Sequence, residues 1–244
     1  MKNLSDPRPF ATTHWSLIDA ARTDEVRQTR AREALEALCR AYWYPLYAFV
    51  RNRGYSADDA QDLTQAFFAR ILETGGFASA DREQGRFRSY LLGAMKHFLA
   101  NEWHRAKTQK RGGRVQFIEF DAFDPEARYT KTSAPSDNPD YIFDHEWALQ
   151  IISMALQTLR DEMVKAGKSK QFDALKGSLT GEDESPRDHI AARLGMSEGA
   201  VKVAVHRLRQ RYRTLLRDAI AQTVSNEADL DDEMRYLVAV LRKR

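Results

Sequence analysis

Apolar residues recur every three or four positions through almost the whole chain, and strict alternation of apolar and polar residues is rare. A spacing of this kind lines up apolar side chains along one face of an α-helix, whereas a half-buried strand needs a period of two. With 244 residues, of which 43% are hydrophobic, the chain is long enough to bury one or two cores. The pattern therefore predicts an all-α protein.

Three long helices are predicted in the first half. One covers about 26–52, and a second begins after Ser56, a residue type that caps helix N-termini, with an acidic first turn behind it. A third covers about 85–108. Helices of this length pack as a compact bundle, which predicts a first helical domain over 26–111 after an N-terminal extension over 1–25.

An acidic stretch rich in Pro, Ser and Asp follows and is predicted as a linker over 112–140. Helical periodicity returns in a second domain, predicted over 141–222, with helices near 141–165 and 169–179. An amphipathic helix is predicted over 223–244, and it either completes the second domain or binds a partner. Its predicted inward residues are Leu230, Met234, Leu237, Val238 and Leu241.

Within the second domain, "IAARLGMSEGAVKVAVHRLRQRYRTLLR" joins two amphipathic helices through a short turn. A preceding Ser185-Pro186 suits a helix start, and Gly195 suits the left-handed backbone at a helix end. Ser197 is the predicted cap of the next helix. Two helices joined in this way are typical of the DNA-binding helix-turn-helix, although simple helical hairpins share much of the pattern.

Charge is strongly sorted along the chain, although 38 Lys and Arg nearly balance 35 Asp and Glu. Eight basic residues lie between Arg86 and Arg114 with Glu102 as the only acid, and seven lie between Arg193 and Arg217 with Glu198 as the only acid. Two basic modules separated by an acidic linker favour contact with one polyanion at two places. Two solvated helix faces are the alternative.

Several function classes are disfavoured by what the sequence lacks. Its single cysteine, Cys39, allows no internal disulfide framework and no thiol-rich zinc site. No apolar run is long enough for a signal peptide or a membrane span, so a cytoplasmic protein is expected. The sequence shows no Gly-rich phosphate loop, paired metal histidines or activated nucleophile, and the histidines at 97, 104 and 145 are isolated. We therefore expect no enzyme, no cofactor and no metal.

Three stretches resemble bacterial RNA polymerase sigma factors of the extracytoplasmic-function group: "YSADDAQDLTQAFFARIL", "GRFRSYLLGAMKHFLANEWHRAKTQKR" and "LGMSEGAVKVAVHRLRQRYRTLL". In that family the first docks on a coiled coil of the polymerase's largest subunit. The second melts and reads the promoter's minus-ten element, and the third reads the minus-thirty-five element. All three stand in the family's order and spacing, over roughly residues 30–218. The two predicted domains thus resemble sigma regions two and four.

The resemblance implies roles for individual residues. Polymerase binding would fall to Asp58, Asp59, Gln61, Asp62 and Gln65. Minus-ten DNA would be bound by Arg86, Arg88, Lys96, His97, Asn101, Arg105, Lys107, Lys110 and Arg111. Minus-thirty-five DNA would be bound by Ser197, Glu198, Gly199, Lys202, His206, Arg207 and Arg209. The loop "FASADREQG" is the implied pocket for an unstacked base, and Phe87 and Trp103 either pack in the core or stack on bases.

The chain also departs from the family pattern. Gln61 and Ala66 stand where the docking helix usually carries glutamates, so two carboxylates are missing. We hypothesise that phosphorylation of Thr64 restores this charge, the alternative being that Thr64 is a half-buried helix residue and the three aspartates suffice. Val203-Ala204 replaces a Ser-Arg pair in the recognition helix, and His97 and Asn101 also differ from the usual residues, which predicts an unusual sequence preference.

The sequence therefore favours an alternative sigma factor. Expected partners are core RNA polymerase and promoter DNA, together with a possible Ser/Thr kinase or anti-sigma protein, and no membrane. A dimeric helix-turn-helix repressor that does not bind polymerase is the main alternative, because it would explain the helix pair but not the docking helix or the first basic module. The promoter sequence, the activating signal and the oligomeric state are not encoded in these patterns.

Overall fold

A computed structural model describes residues 25–74, 86–108, 125–132, 138–180, 187–224 and 227–242. Over these ranges every regular element is an α-helix and no strand occurs, so the predicted all-α class is confirmed. In the same ranges, no helix has both the length and the apolar character needed to cross a membrane.

The structure contains ten helices in its described part, numbered here in chain order. They are α1 (Glu25–Asn52), α2 (Ala57–Thr74), α3 (Phe87–Thr108), α4 (Pro125–Thr132), α5 (Pro139–Lys165), α6 (Ser169–Leu175), α7 (Gly177–Thr180), α8 (Arg187–Leu194), α9 (Glu198–Ala221) and α10 (Glu227–Arg242). The predicted bounds of the long helices agree to within about two residues. The single helix predicted over 169–179 is instead two short ones, α6 and α7.

Local signals explain where α1 ends and α2 begins. Gly54 has φ +92°, a left-handed conformation that a residue with a side chain rarely adopts, and it closes α1. Ser56 caps α2, because its Oγ accepts a hydrogen bond from the Asp59 backbone N–H at 3.1 Å while donating to the Asp59 carboxylate at 2.7 Å. The sequence predicted the cap at Ser56.

The chain divides into two compact units. The first consists of Met1–Gln150 together with Ile220–Arg244, and the second of Ile151–Ala219. These limits differ from the predicted domains at 26–111 and 141–222, because the first twelve residues of α5 and all of α10 belong to the first unit. Helices α5 and α9 each contribute to both units.

Large aromatic and aliphatic side chains fill the core of the first unit. The largest fully buried ones are Trp147, Tyr42, Tyr47, Phe49, Phe67, Phe68, Phe143, Leu46, Leu91 and Met95. The stripes predicted for α1, α2 and α3 supply most of them, whereas Trp147 and Phe143 come from α5. Edge-to-face contacts tie α1 to α3 through Tyr42 and Phe87, with ring centroids 5.3 Å apart, and α2 to α3 through Phe67 and Phe98, at 5.7 Å.

Part of the predicted linker is helical, which corrects the prediction for 112–140. Helix α4 is held against α1 by Glu126, whose carboxylate accepts two hydrogen bonds from the Arg51 guanidinium, at 2.7 and 2.9 Å, and one from the Tyr47 hydroxyl at 2.5 Å. The Arg128 guanidinium lies 3.7 Å from the centre of the Tyr44 ring and donates to Glu146 at 3.2 Å. The partners of Glu126 on α1 lie 75 or more residues away in sequence, so local composition does not reveal this segment.

Helix α10 packs with a different register from the predicted one. Its buried residues are Leu230, Glu233, Leu237 and Val240, whereas Val238 is 42% exposed. The sequence prediction placed Val238 inward and did not include Glu233 among the inward residues. The register changes because Glu233 is drawn inside by its ion pairs with Arg86 and Arg88.

A smaller apolar core holds the second unit together. Its buried members are Ala155, Leu159, Phe172, Ala174, Leu175, Ile190, Ala191, Val201, Leu208 and Leu215. They come from α5, α6, α8 and α9, and α8 and α9 supply the apolar faces that the sequence predicted for them.

Several predictions concern residues outside the described ranges. These are the N-terminal extension, the loop at 77–85, Ser185-Pro186, Lys110 and Arg111.

Candidate nucleic-acid interface

The turn between α8 and α9 is built from a glycine and a serine cap. Gly195 has φ +62°, and the Met196 backbone N–H donates to the Ala191 carbonyl at 3.0 Å, which closes α8. Two residues on, the Ser197 Oγ accepts from the Ala200 N–H at 3.2 Å. The turn thus fixes the residue at which each helix ends or begins, as its sequence predicted.

Burial on one side of α9 decides which of its residues face outward. Val201 is 1% exposed and Leu208 is 4% exposed, and both lie in the core of the second unit. The opposite side is exposed, and it includes every residue predicted to bind minus-thirty-five DNA: Ser197, Glu198, Gly199, Lys202, His206, Arg207 and Arg209. Packing therefore brings these residues together on one accessible surface.

The basic side chains on this surface differ in how they are held. Among the described residues, Lys202, Arg207 and Arg213 form no ion pair. Arg209 is exposed but donates two hydrogen bonds to the Ser178 carbonyl, at 2.8 and 3.2 Å. Arg211 forms a bidentate pair with Glu162, and hydrogen bonding from this arginine lowers the pKa of Glu162. Three cations are thus available to an external anion, and two are engaged within the unit.

Arg88 does not lie where the resemblance implied, and its assignment to strand phosphates is corrected. Its residue exposure is 6%, and its guanidinium donates to Glu233 of α10 at 2.9 Å and to Asp144 of α5. It also lies over the rings of Tyr236, at 4.3 Å, and Trp147, at 5.0 Å. A buried guanidinium needs such partners, so Arg88 joins three helices of the first unit.

Neighbouring basic residues of the first unit are also paired with carboxylates. The Arg86 guanidinium lies 3.2 Å from the Glu233 carboxylate and 3.7 Å from the Asp232 carboxylate. The Lys96 ammonium group lies 2.5 Å from the Asp140 carboxylate. Both cations remain partly exposed to solvent, but carboxylates already neutralise their charges. Sequence analysis missed these carboxylates. The position of Glu233 within the apolar stripe of α10 is the one signal that could have revealed a buried acid.

The second half of α3 presents a more open surface. His97 is exposed, and its ring Nδ1 lies 3.1 Å from the side-chain amide nitrogen of Asn101. The exposed Arg105 guanidinium forms an ion pair with the Glu102 carboxylate at 3.1 Å. Trp103 is 54% exposed, with its ring 5.2 Å from that of His104, so it does not pack in the core, whereas Phe87, at 5% exposed, does. The side chain of Lys107 lies outside the described residues.

Helix α2 places the predicted polymerase-binding residues on its outer side. Asp58, Asp59, Gln61 and Asp62 are exposed, and Gln65 is half-buried. These residues therefore form one accessible edge with three carboxylates.

Thr64 lies on the other side of α2, and the phosphorylation hypothesis does not agree with its position. The residue is 0% exposed, and its hydroxyl donates to the Ala60 carbonyl at 2.7 Å. A kinase cannot reach a buried hydroxyl of this kind, and a phosphate placed in an apolar core would carry a large desolvation cost. The three exposed aspartates remain as the acidic groups of this edge.

No cluster of three or more His, Cys, Asp or Glu side chains that could hold a metal ion occurs in the described part of the chain. Comparison with family models, with curated proteins and with solved structures returned no match.

Proposed function

We propose that this chain is an alternative sigma factor, which binds core RNA polymerase, recognises the minus-thirty-five and minus-ten elements of a promoter and initiates transcription. The observation that carries the proposal is the exposed basic side of α9, which begins at a serine cap after a glycine turn. That arrangement suits a helix whose first turns enter a DNA groove. The resemblance of three sequence stretches to the sigma family supports two further parts of the proposal, binding to the polymerase and binding to the minus-ten element.

On this proposal the residues of α9 divide into two groups. Ser197, Glu198, Gly199 and His206, in its first turns, would meet base edges in the major groove. Lys202, Arg207 and Arg213, which form no ion pair with another described residue, would contact backbone phosphates and set the register.

The second half of α3 supplies a chemically different surface. An exposed tryptophan beside polar and basic side chains is suited to an unstacked single strand, because aromatic rings stack on any base and cations follow the backbone. Trp103, Asn101 and Arg105 would perform this role near the minus-ten element.

The exposed edge of α2 would dock on the polymerase. Asp58, Asp59 and Asp62 supply three carboxylates, and acid meeting base across such an interface steers association and fixes register. No modification at Thr64 is part of this proposal.

The test is co-purification of the full chain with core RNA polymerase, followed by transcription from a selected promoter. We expect the parent to bind, and the double variant Asp58→Asn/Asp62→Asn to lose most of the binding. Asp161→Asn, which neutralises an exposed carboxylate on α5, is the matched control and should bind like the parent.

Arg207→Ala provides an independent arm. It should bind polymerase normally but weaken promoter binding and transcription. A chain that retards duplex DNA on a gel but never binds polymerase would refute the sigma proposal. The dimeric repressor would then take its place, with a palindromic target as its mark.

A further inference from the structure

Val203 is an apolar side chain in the middle of a polar surface. It is 49% exposed, next to Lys202 and one turn before His206 and Arg207 on the outer side of α9. Val201 is buried in the core, so α9 has the inner apolar residues it needs without Val203. A β-branched residue also has a lower helix propensity than alanine, and folding of the free chain gives no reason for it at this position.

Gly199, four residues earlier, is equally unexplained by the fold. It is exposed in the first turn of α9, and a methyl group added to it would meet no heavy atom within 4 Å. Its φ is not positive, unlike those of Gly54, Gly167 and Gly195, so the backbone does not require glycine either. Alanine would favour the helix more, so neither packing nor backbone conformation accounts for the glycine at this position.

The two residues share one face, because positions i and i+4 of a helix lie one above the other. Helical side chains lean toward the N-terminus, which directs the Val203 methyl groups toward the space that Gly199 leaves open. Lys202 and His206 flank this space. The Val203 isopropyl group and the open space at Gly199 thus form a shallow apolar depression, the seat, which polar side chains border.

We propose that Gly199 and Val203 form a seat for the C5-methyl group of a thymine in the major groove. Thymine is the one base whose major-groove edge carries an apolar group, so an apolar side chain at this depth distinguishes it from the other three. Gly199 lets the helix backbone approach the base closely enough for contact. The inference rests on the proposed DNA binding by α9 and names the base that this part of the helix reads.

The test uses the full chain at low ionic strength and a duplex selected from a random-sequence pool. Each thymine of the selected duplex is replaced singly by deoxyuridine, which removes only the methyl group. We expect one position at which the parent loses about fourfold in affinity, the value of one buried methyl group. Val203→Ala should bind the thymine and deoxyuridine duplexes equally.

Two variants keep the result interpretable. Val164→Ala removes an equally exposed valine, 50% exposed on α5, and should retain the methyl preference. Gly199→Ala should raise the thermal midpoint of unfolding while weakening binding to the selected duplex, because the added methyl group favours the helix but fills the seat.

Four outcomes overturn the inference. If the parent enriches no duplex, DNA binding by α9 fails and the seat fails with it. If it enriches a duplex in which no thymine methyl affects affinity, DNA binding stands and the seat alone is refuted. The same holds if Val203→Ala keeps the methyl preference, or if Gly199→Ala binds the selected duplex as tightly as the parent.

Discussion

Helices α3 and α9 are both amphipathic and basic, yet their cations lie in opposite surroundings. In the first half of α3 each cation meets carboxylates of α5 or α10, as in the pairs Arg88–Glu233 and Lys96–Asp140. On α9, Lys202, Arg207 and Arg213 face outward, with no ion pair to any other described residue. A run of basic residues in a sequence therefore does not by itself locate a phosphate-binding surface, because carboxylates from distant helices can pair with these residues.

Helix ends supply one of these acids. Acidic residues stabilise the first turn of a helix through its dipole, and Asp140 lies in the first turn of α5. The same carboxylate pairs with Lys96 of α3. One residue thus serves both a local and a long-range electrostatic role in the first unit.

The largest expected contrast is between Arg88→Ala and Arg207→Ala. Removing Arg88 leaves Glu233 and Asp144 without their main counter-charge in a buried site, which should cost about 3–5 kcal/mol of stability. Removing exposed Arg207 should change stability by less than about 0.5 kcal/mol. Urea denaturation followed by circular dichroism measures both, and equal losses would break the comparison between the two helices.

A second contrast compares two bidentate Arg–Glu pairs, one in each unit. Glu126 pairs with Arg51 and also accepts from Tyr47, whereas the pair of Glu162 and Arg211 is more exposed. Glu126→Gln should cost about 2 kcal/mol and Glu162→Gln less than about 1 kcal/mol.

The pH dependence of stability follows from the pair of Glu126 and Arg51. Hydrogen bonding from Arg51 lowers the pKa of Glu126 below its ordinary value of 4.5. The stabilisation is therefore fully present above that value and is lost as the pH falls through the lowered pKa of the folded state. Urea midpoints recorded from neutral pH downward should show a smaller loss for Glu126→Gln than for the parent, and parallel curves would contradict this.

The serine caps offer a smaller, matched comparison. Ser56→Ala and Ser197→Ala each remove one capping hydrogen bond, so each should cost about 1 kcal/mol. Thermal unfolding should show similar destabilisation for both. Only Ser197→Ala should weaken duplex DNA binding, because its helix is the one that we propose enters the groove.

A small effect on stability is also expected for Asp140→Asn. The side chains of Lys96 and Asp140 are 40% and 44% exposed. Ion pairs this exposed contribute between 0 and about 1 kcal/mol to the free energy of unfolding. The variant should nevertheless bind single-stranded DNA more tightly, with a salt dependence steeper by about 0.7 in the log–log slope, because Lys96 is released for one phosphate contact. Asp161→Asn should leave both affinity and slope unchanged.

Sequence patterns predicted the parts of this fold that depend on local physics. Helix periodicity, the cap at Ser197 and the glycine turn at Gly195 follow from backbone geometry and neighbouring residues, and they agree with the structure. The outward face of α9 was also predictable, because its apolar residues repeat at helical spacing and must face a core.

The parts that sequence patterns missed depend on partners far away in the chain. Arg88 and Glu233 are 145 residues apart, and periodicity does not show that they meet. Trp103 has the residue type of a core position, yet it is 54% exposed near the end of α3. Helix α4 was hidden for the same reason, since Glu126 is anchored by Tyr47 and Arg51 of α1.

The first unit is discontinuous, since residues 220–244 return to a body begun by residues 1–150. A ribosome releases a chain from its first residue onward, so residues 151–219 emerge before Glu233 does. The second unit can therefore complete its fold while Arg88 still lacks its main partner. Domains usually mature in the order of their synthesis, but here the unit that starts first finishes last. A nascent chain halted before α10 would thus carry a finished second unit beside an unfinished first one.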